Sequence, residues 1–197
     1  MLRNLVLKNR SYRRFDASRP ITAKTLIHLI ELARNCPSAA NLQSLRYLPV
    51  WDKQLLDAVF PHLRWAGYLR YWDGPLATER PTGYVVILCP AETTKFHHTD
   101  AGIVAQTILL GAVEQGLGGC MIASVERDQL RTALDIPQEL EICLVIALGK
   151  PAEEVVIEDV IDPDDIEYWR DDDGIHHVPK RSLEDLIVIP IGEHYEG

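Results

Sequence analysis

The chain has 197 residues, of which 47% are hydrophobic and 25% charged, a balance that predicts one globular domain over residues 1–197 rather than a disordered or fibrous protein. A net charge of −9 argues against general nucleic-acid binding, since neutralising phosphates needs a basic face. No apolar run approaches the roughly 20 residues that cross a bilayer, and the opening Met1-Leu2-Arg3-Asn4-Leu5-Val6-Leu7-Lys8 has no small-residue cleavage site after a long apolar core, so no membrane partner and a cytoplasmic location are expected.

Leu2, Leu5, Val6 and Asn9 suggest a short helix that delivers a basic cluster. Residues 1–20 hold Arg3, Lys8, Arg10, Arg13, Arg14 and Arg19 against Asp16, so this segment is +5 and the remaining 177 residues are −14. An acidic protein that gathers arginine in one place is suited to hold an anion there. The guanidinium fork gives two parallel donors to a phosphate, and Ser11 adds a hydroxyl. Charge by itself fits a solvated helix end better than an anion site.

Thr22 is placed to cap a second helix, with Leu26, Leu29, Ile30 and Ala33 at helical spacing and Cys36-Pro37 ending the run. The following Ser38-Ala39-Ala40-Asn41-Leu42-Gln43 offers small residues for close backbone approach and two amides that both donate and accept. Such amides suit the edge of a flat heterocycle, and an ordinary polar turn fits as well. Tyr47–Trp51 reads as a short strand, with Pro49 favouring an edge, and Lys53–Phe60 as a helix.

Between Pro61 and Pro81 stand Trp65, Tyr68, Tyr71 and Trp72, either a lid over a flat ligand or aromatics packed on the core. Tyr84–Cys89 and Ile142–Leu148 are continuous apolar runs, as strands covered on both faces require. Between them Thr99-Asp100 is placed to cap a helix over Ala101–Gln115 that is apolar almost all round, which calls for burial in a core or a subunit interface. Gly116-Leu117-Gly118-Gly119 follows a helix rather than a first strand, so it reads as a helix stop leading into Met121-Ile122, not as a dinucleotide fingerprint. Glu126–Leu134 reads as a short surface helix.

From Glu153 to Asp173 eleven acidic residues face Arg170 alone, the pattern of a solvated, partly ordered surface segment. Asp171-Asp172-Asp173-Gly174 lacks the spaced ligands of a calcium loop. His97-His98 and His176-His177 are adjacent pairs without partners at metal-site spacing, and Cys36, Cys89, Cys120 and Cys143 lack any Cys-x-x-Cys pair, so buried reduced thiols and no metal are expected. Lys180-Arg181 precedes a last strand over Leu186–Ile189.

In order and spacing, Arg10-Ser11-Tyr12-Arg13-Arg14-Phe15, Pro20-Ile21, Leu29–Ala33 and Pro37–Gln43 resemble the opening of the nitroreductase family of FMN-dependent oxidoreductases. The resemblance is strongest over 9–43, fair over 99–124 and 180–189, and absent from 153–175. It implies an α+β fold with a central mixed or antiparallel sheet flanked by helices, and a homodimer with a long buried interface helix and two FMN sites at the interface. On that pattern Arg10, Ser11 and Arg181 would hold the phosphate and ribityl chain, with Lys180 beside them. Arg13 would lie near the pyrimidine edge, Ala123 and Ser124 would border the ring, and Ser38, Ala39 and Asn41 would come from the other subunit. NADH or NADPH would reduce the flavin and leave, and an electron-poor acceptor, a nitroaromatic or quinone, would take the electrons in the same place. No side chain is then needed as general acid or base, in keeping with the lack of a His/Asp or Cys/His constellation. Related folds also perform reductive dehalogenation or flavin breakdown, and storage of FMN is a further alternative. Asn9 stands where many members carry Arg or Lys, Ser44-Leu45 replaces the usual Pro-Trp, and residues 61–81 diverge too far for any residue to be carried over.

Overall fold

Two strands whose side chains are almost all buried form the centre of the computed structural model, which describes residues 1–92 and 96–188. They are β2 (Gly83–Pro90) and β4 (Leu140–Gly149), paired antiparallel and flanked by β1 (Arg46–Val50) and β3 (Gly118–Ile122), in the order β1-β2-β4-β3. Helices cover both faces, so neither parity of the central strands can be polar, and this is why both read as unbroken apolar runs. Val85, Ile87, Ile146 and Leu148 pack toward α2 (Ala23–Arg34) and α4 (His97–Glu114). Tyr84, Val86, Val145 and Ala147 form the opposite layer with Val59 of α3 (Lys53–Val59) and Leu130 of α5 (Arg127–Ala133). Each fully buried aliphatic side chain in these layers is worth about 1.5–3 kcal/mol. The result is an α+β architecture around a wholly antiparallel main sheet, with β1 at its edge as the position of Pro49 suggested.

The short helix α1 (Leu2–Lys8) and the capped helix α2 form where their periodicity places them. Thr22 Oγ1 accepts the Thr25 N–H at 3.1 Å, and Leu26, Leu29 and Ala33 make the buried stripe. Helix α4 crosses α2 so closely that a Cβ on Gly111 would come within 2.5 Å of Leu32 Cδ1.

The start of α4 differs from the expected cap. The helix begins at His97, and Asp100, 3% exposed, lies inside its first turn, where Oδ1 accepts the Ala39 N–H at 3.0 Å. The carboxylate therefore holds the 38–41 loop instead of ending a helix. One stripe of α4, Ala101, Val104, Ala105, Ile108 and Ala112, is buried, while Ile103, Leu110 and Val113 remain on its outer side, exposed or half-buried.

The acidic stretch is the main correction. It contributes β5 (Val155–Asp159) and β6 (Trp169–Arg170) to a second sheet with β7 (His176–Lys180), in the order β5-β7-β6, parallel between β5 and β7 and antiparallel between β6 and β7. What orders this polar sheet is internal pairing of its charges. Glu153, its side chain 1% exposed, accepts the backbone N–H groups of Arg13 and Arg14 and meets Arg170 Nη2 at 2.9 Å. His177 is held between Glu158 Oε1 at 2.6 Å and Asp171 Oδ2 at 3.1 Å, and its ring stacks on Trp169.

The last strand expected over Leu186–Ile189 is replaced by α6 (Leu183–Leu186), because Ser182 and Asp185 cap each other's backbone; Ile189 lies outside the described residues. Among the described residues no helix is long and apolar enough to cross a membrane.

Glu153→Ala should lower stability by about 3–5 kcal/mol, because it strands the buried Arg170 guanidinium without its counter-charge. Denaturant unfolding of the variant tests this, and Glu153→Ala/Arg170→Met should recover part of the loss. An unchanged midpoint in the single variant would mean that the pair does not tie the second sheet to the N-terminal segment.

Candidate functional site

The basic N-terminal segment is laid along β3. Ser11 forms a parallel bridge with Gly119, and the Tyr12 N–H donates to the Gly119 carbonyl at 3.1 Å. This approach requires glycine. A Cβ at Gly118 would stand 2.5 Å from Tyr12 Cδ2, and one at Gly119 would stand 2.1 Å from the Ala147 carbonyl oxygen. The helix stop belongs to Gly116, with φ +71°, while Gly118 admits the Tyr12 ring and Gly119 the β4 backbone.

Two clefts open along this junction and share Met121. The first, about 300 Å³, is lined by Asn9, Arg10, Ser11, Gln106 and Lys180 among others, so cations stand at both sides of it. Arg10 Nη2 donates to the Val6 carbonyl at 2.6 Å, while Arg10 Nε and Asn9 Oδ1 are buried and find no partner among the described residues. The second, about 140 Å³, is lined by Arg13, Arg64, Trp65 and the residues Cys120 to Ser124, including Ala123. Burial pushes the Cys120 thiol up to about 12, so it stays protonated and is no nucleophile.

Arg13 is fixed from the second sheet. Its Nη1 donates to the Ser11 carbonyl and to His176 Nε2, both at 3.2 Å, and its guanidinium lies 4.8 Å from the centre of the Tyr168 ring. His176 is fully buried, and burial, followed by the charges of Arg13 and Arg170, pushes its pKa down to about 4. The imidazole is therefore neutral near pH 7, with Nε2 as acceptor and the proton on Nδ1, which has no partner among the described residues.

Of the residues singled out in the sequence, Arg10, Ser11, Arg13, Ala123, Ser124 and Lys180 meet in these two clefts. Arg181 does not line them: its Nε donates to the Pro163 carbonyl at 2.6 Å and its Nη2 lies 3.5 Å from Asp164. Ser38, Ala39 and Asn41 stand in a loop with Ala40, Asn41 and Gln43 at positive φ, costing about 1 kcal/mol or more each. Ser38 lines a third cleft of about 150 Å³ with Gln43, Tyr47 and Asp100, and it shares no lining residue with the other two.

The aromatic stretch divides. Trp65 is buried against Phe60, whereas Tyr68 meets Tyr168 edge-to-face at 4.9 Å, Trp72 lies under the Arg170 guanidinium, and Tyr71 is fully exposed. Tyr168 and His176 were not found as site residues from the sequence, because their contacts with Arg13 span more than 150 positions and leave no local pattern. One histidine also gains neighbours that its sequence position did not show: a ring nitrogen of His97 lies within 4.8 Å of the Cys89 and Cys143 sulfur atoms.

The model of the Nitroreductase family matches residues 6–68 and 75–150. A putative NADH dehydrogenase/NAD(P)H nitroreductase from Methanothermobacter thermautotrophicus is 27% identical over 169 residues, covering 81% of this chain and 83% of that protein. An iodotyrosine deiodinase from Thermotoga neapolitana is 23% identical over 168 residues, covering 77% and 89%. In three dimensions the chain is similar to a nitroreductase family protein from Streptococcus pneumoniae, with TM-score 0.66 at 16% identity over 86% of this chain and 100% of that one. An FMN-dependent nitroreductase from Clostridium difficile superposes with TM-score 0.63 at 24% identity, covering 78% and 89%. Two of the stretches outside the family match, 69–74 and the chain beyond 150, touch through Trp72 and Arg170.

His176 and His177, adjacent on β7, should titrate in opposite directions. With its pKa depressed, His176 contributes stability that is complete above its ordinary value of 6.5 and is lost as pH falls toward about 4, because the unfolded chain takes up the proton first. The carboxylates of Glu158 and then Asp171 raise the His177 pKa, so its contribution is complete below 6.5 and disappears as pH rises through the raised value. Imidazole nitrogen chemical shifts followed against pH should separate the two curves on either side of an exposed histidine, and coincident curves would remove the structural assignment.

Proposed function

Because the chain belongs to the nitroreductase family, we propose that it is an FMN-dependent oxidoreductase that transfers reducing equivalents from NADH or NADPH to an electron-poor acceptor, a nitroaromatic or a quinone. The observation that carries this reading is the pair of adjacent clefts that share Met121, one cationic with Arg10 and Lys180 and the other bordered by the end of β3 and the residues after it, Met121 to Ser124. A phosphate with a flat ring attached fits that polarity, and the unpartnered Arg10 Nε supplies a buried donor at the anionic end.

Arg10, Ser11 and Lys180 would hold the phosphate and ribityl chain, and Ala123 and Ser124 would border the ring. Arg13, whose guanidinium is fixed by neutral His176 and the Tyr168 face, would place a positive charge beside the pyrimidine, favouring the reduced anionic form. FMN held there would supply the redox chemistry between nicotinamide and acceptor, in a ping-pong sequence. The side chains bind, orient and exclude water, and none acts as general acid or base.

Ser38, Ala39 and Asn41 would reach the flavin from a second subunit, in keeping with their lying outside the linings of the two clefts. The outward apolar stripe of α4 through Ile103, Leu110 and Val113 supports a homodimer. Reductive dehalogenation is the second reading, favoured by the relative named iodotyrosine deiodinase.

The visible spectrum of the purified protein, before and after anaerobic NADH and NADPH, tests the proposal. A flavin band that bleaches, followed by reoxidation with a quinone, is expected. Release of iodide from 3-iodo-L-tyrosine without quinone turnover would favour dehalogenation, a band that neither donor bleaches would indicate FMN storage, and a protein that binds no FMN would overturn the reading. Arg10→Ala and Lys180→Ala should each weaken FMN binding about 10–100-fold, the loss of one charged hydrogen bond. Arg181→Ala should weaken it less, and a larger loss there would place the phosphate outside the cleft.

A further inference from the structure

Two buried thiols and an imidazole meet where the end of β2 passes under the first turn of α4. The Sγ atoms of Cys89 and Cys143 and a ring nitrogen of His97 all lie within 4.8 Å of one another. Cys89 is 1% exposed and Cys143 7%, whereas His97 is half-buried, so the thiols are shielded while one edge of the cluster faces solvent.

A break in the central ladder creates this meeting. Ile87 pairs with Leu144 and Leu88 with Ile142, which leaves Cys143 as an extra residue in β4. Ile142 consequently faces the α3 and α5 layer, while both Cys143 and Leu144 face the α2 and α4 layer. With regular alternation the Cys143 side chain would point to the sheet face opposite Cys89. A bulge that re-aims a side chain in this way is usually a site-building feature, and here it aligns a second soft donor with the first.

We propose that Cys89, Cys143 and His97 form a site for one zinc-class divalent cation, with the fourth coordination position open to solvent. Two thiolates and one imidazole suit such an ion, and its bond lengths of about 2.0–2.3 Å set tetrahedral donors roughly 3.3–3.8 Å apart, within the spread of these atoms. Binding of one dication releases the two thiol protons to solvent as the sulfur–metal bonds form. None of the three residues lines the clefts of the proposed flavin site, so the ion's part is structural. It joins the first turn of α4 to the central strands, and Asp100 in that same turn holds the Ala39 N–H of the 38–41 loop.

Cobalt titration of the full-length protein, chelator-treated and kept under a phosphine reductant, reads the site directly. One equivalent of Co²⁺ per chain should produce a thiolate-to-cobalt charge-transfer band that Zn²⁺ abolishes by displacement. Cys89→Ser, Cys143→Ser and His97→Ala should each lower Co²⁺ affinity at least tenfold, and Cys36→Ser should leave the spectrum unchanged. His97→Ala, at the half-buried edge, also keeps the test valid if a buried serine prevents folding, with far-UV circular dichroism as the check. The absence of the band in the parent protein, or its persistence in Cys143→Ser, would overturn the proposal.

Discussion

The buried carboxylate of Glu153 carries a structural burden out of proportion to its size. It accepts two consecutive backbone N–H groups from the basic N-terminal segment and neutralises Arg170 from the second sheet. A desolvated charge is tolerated only where opposite charge and hydrogen bonds surround it, so these three partners must arrive together. Once they do, the Arg13 backbone has a fixed course, His176 and Tyr168 come within reach of its guanidinium, and the cleft acquires its cationic wall.

The glycine pair sets the complementary constraint from the other side. A side chain at 118 would collide with Tyr12 and one at 119 with the β4 backbone, so the first glycine lets the N-terminal segment lie against β3 and the second lets β3 pair with β4. Arg10 and Ser11 are thereby presented over the end of the main sheet, beside Lys180 from β7. The site is thus built from three separate elements, held by one buried ion pair and one close backbone contact.

Rigid apolar layers underlie all of this. Strands β2 and β4 and the helices on their two faces make a frame that holds one irregularity of its own, the bulge at Cys143, and carries others on its margins: the positive-φ loop at 40–43 and the aromatic wall at Tyr68, Trp72 and Tyr168. Strain and irregular geometry persist only where surrounding packing over-determines them. The buried pair of central strands provides that support.

What the sequence by itself determined is the part of the protein governed by short-range periodicity and local chemistry. The Thr22 cap, the stripe of α2, the two apolar strands and the separation of Arg10, Ser11 and Arg13 from the acidic remainder are all properties of neighbouring residues, and they were legible as such. The tertiary structure decided everything that depends on pairing across the chain. Lys180, the last residue of β7, lines the cleft with Val178 two positions before it, whereas Arg181 lies beyond the strand and is held by the Pro163 carbonyl and Asp164. The acidic stretch becomes strands because a distant backbone satisfies Glu153, and His97 finds two thiols because a bulge turns one of them over. Charge patterning records that a residue is polar, but whether that polarity is solvated or buried against a partner is fixed only when the chain closes on itself.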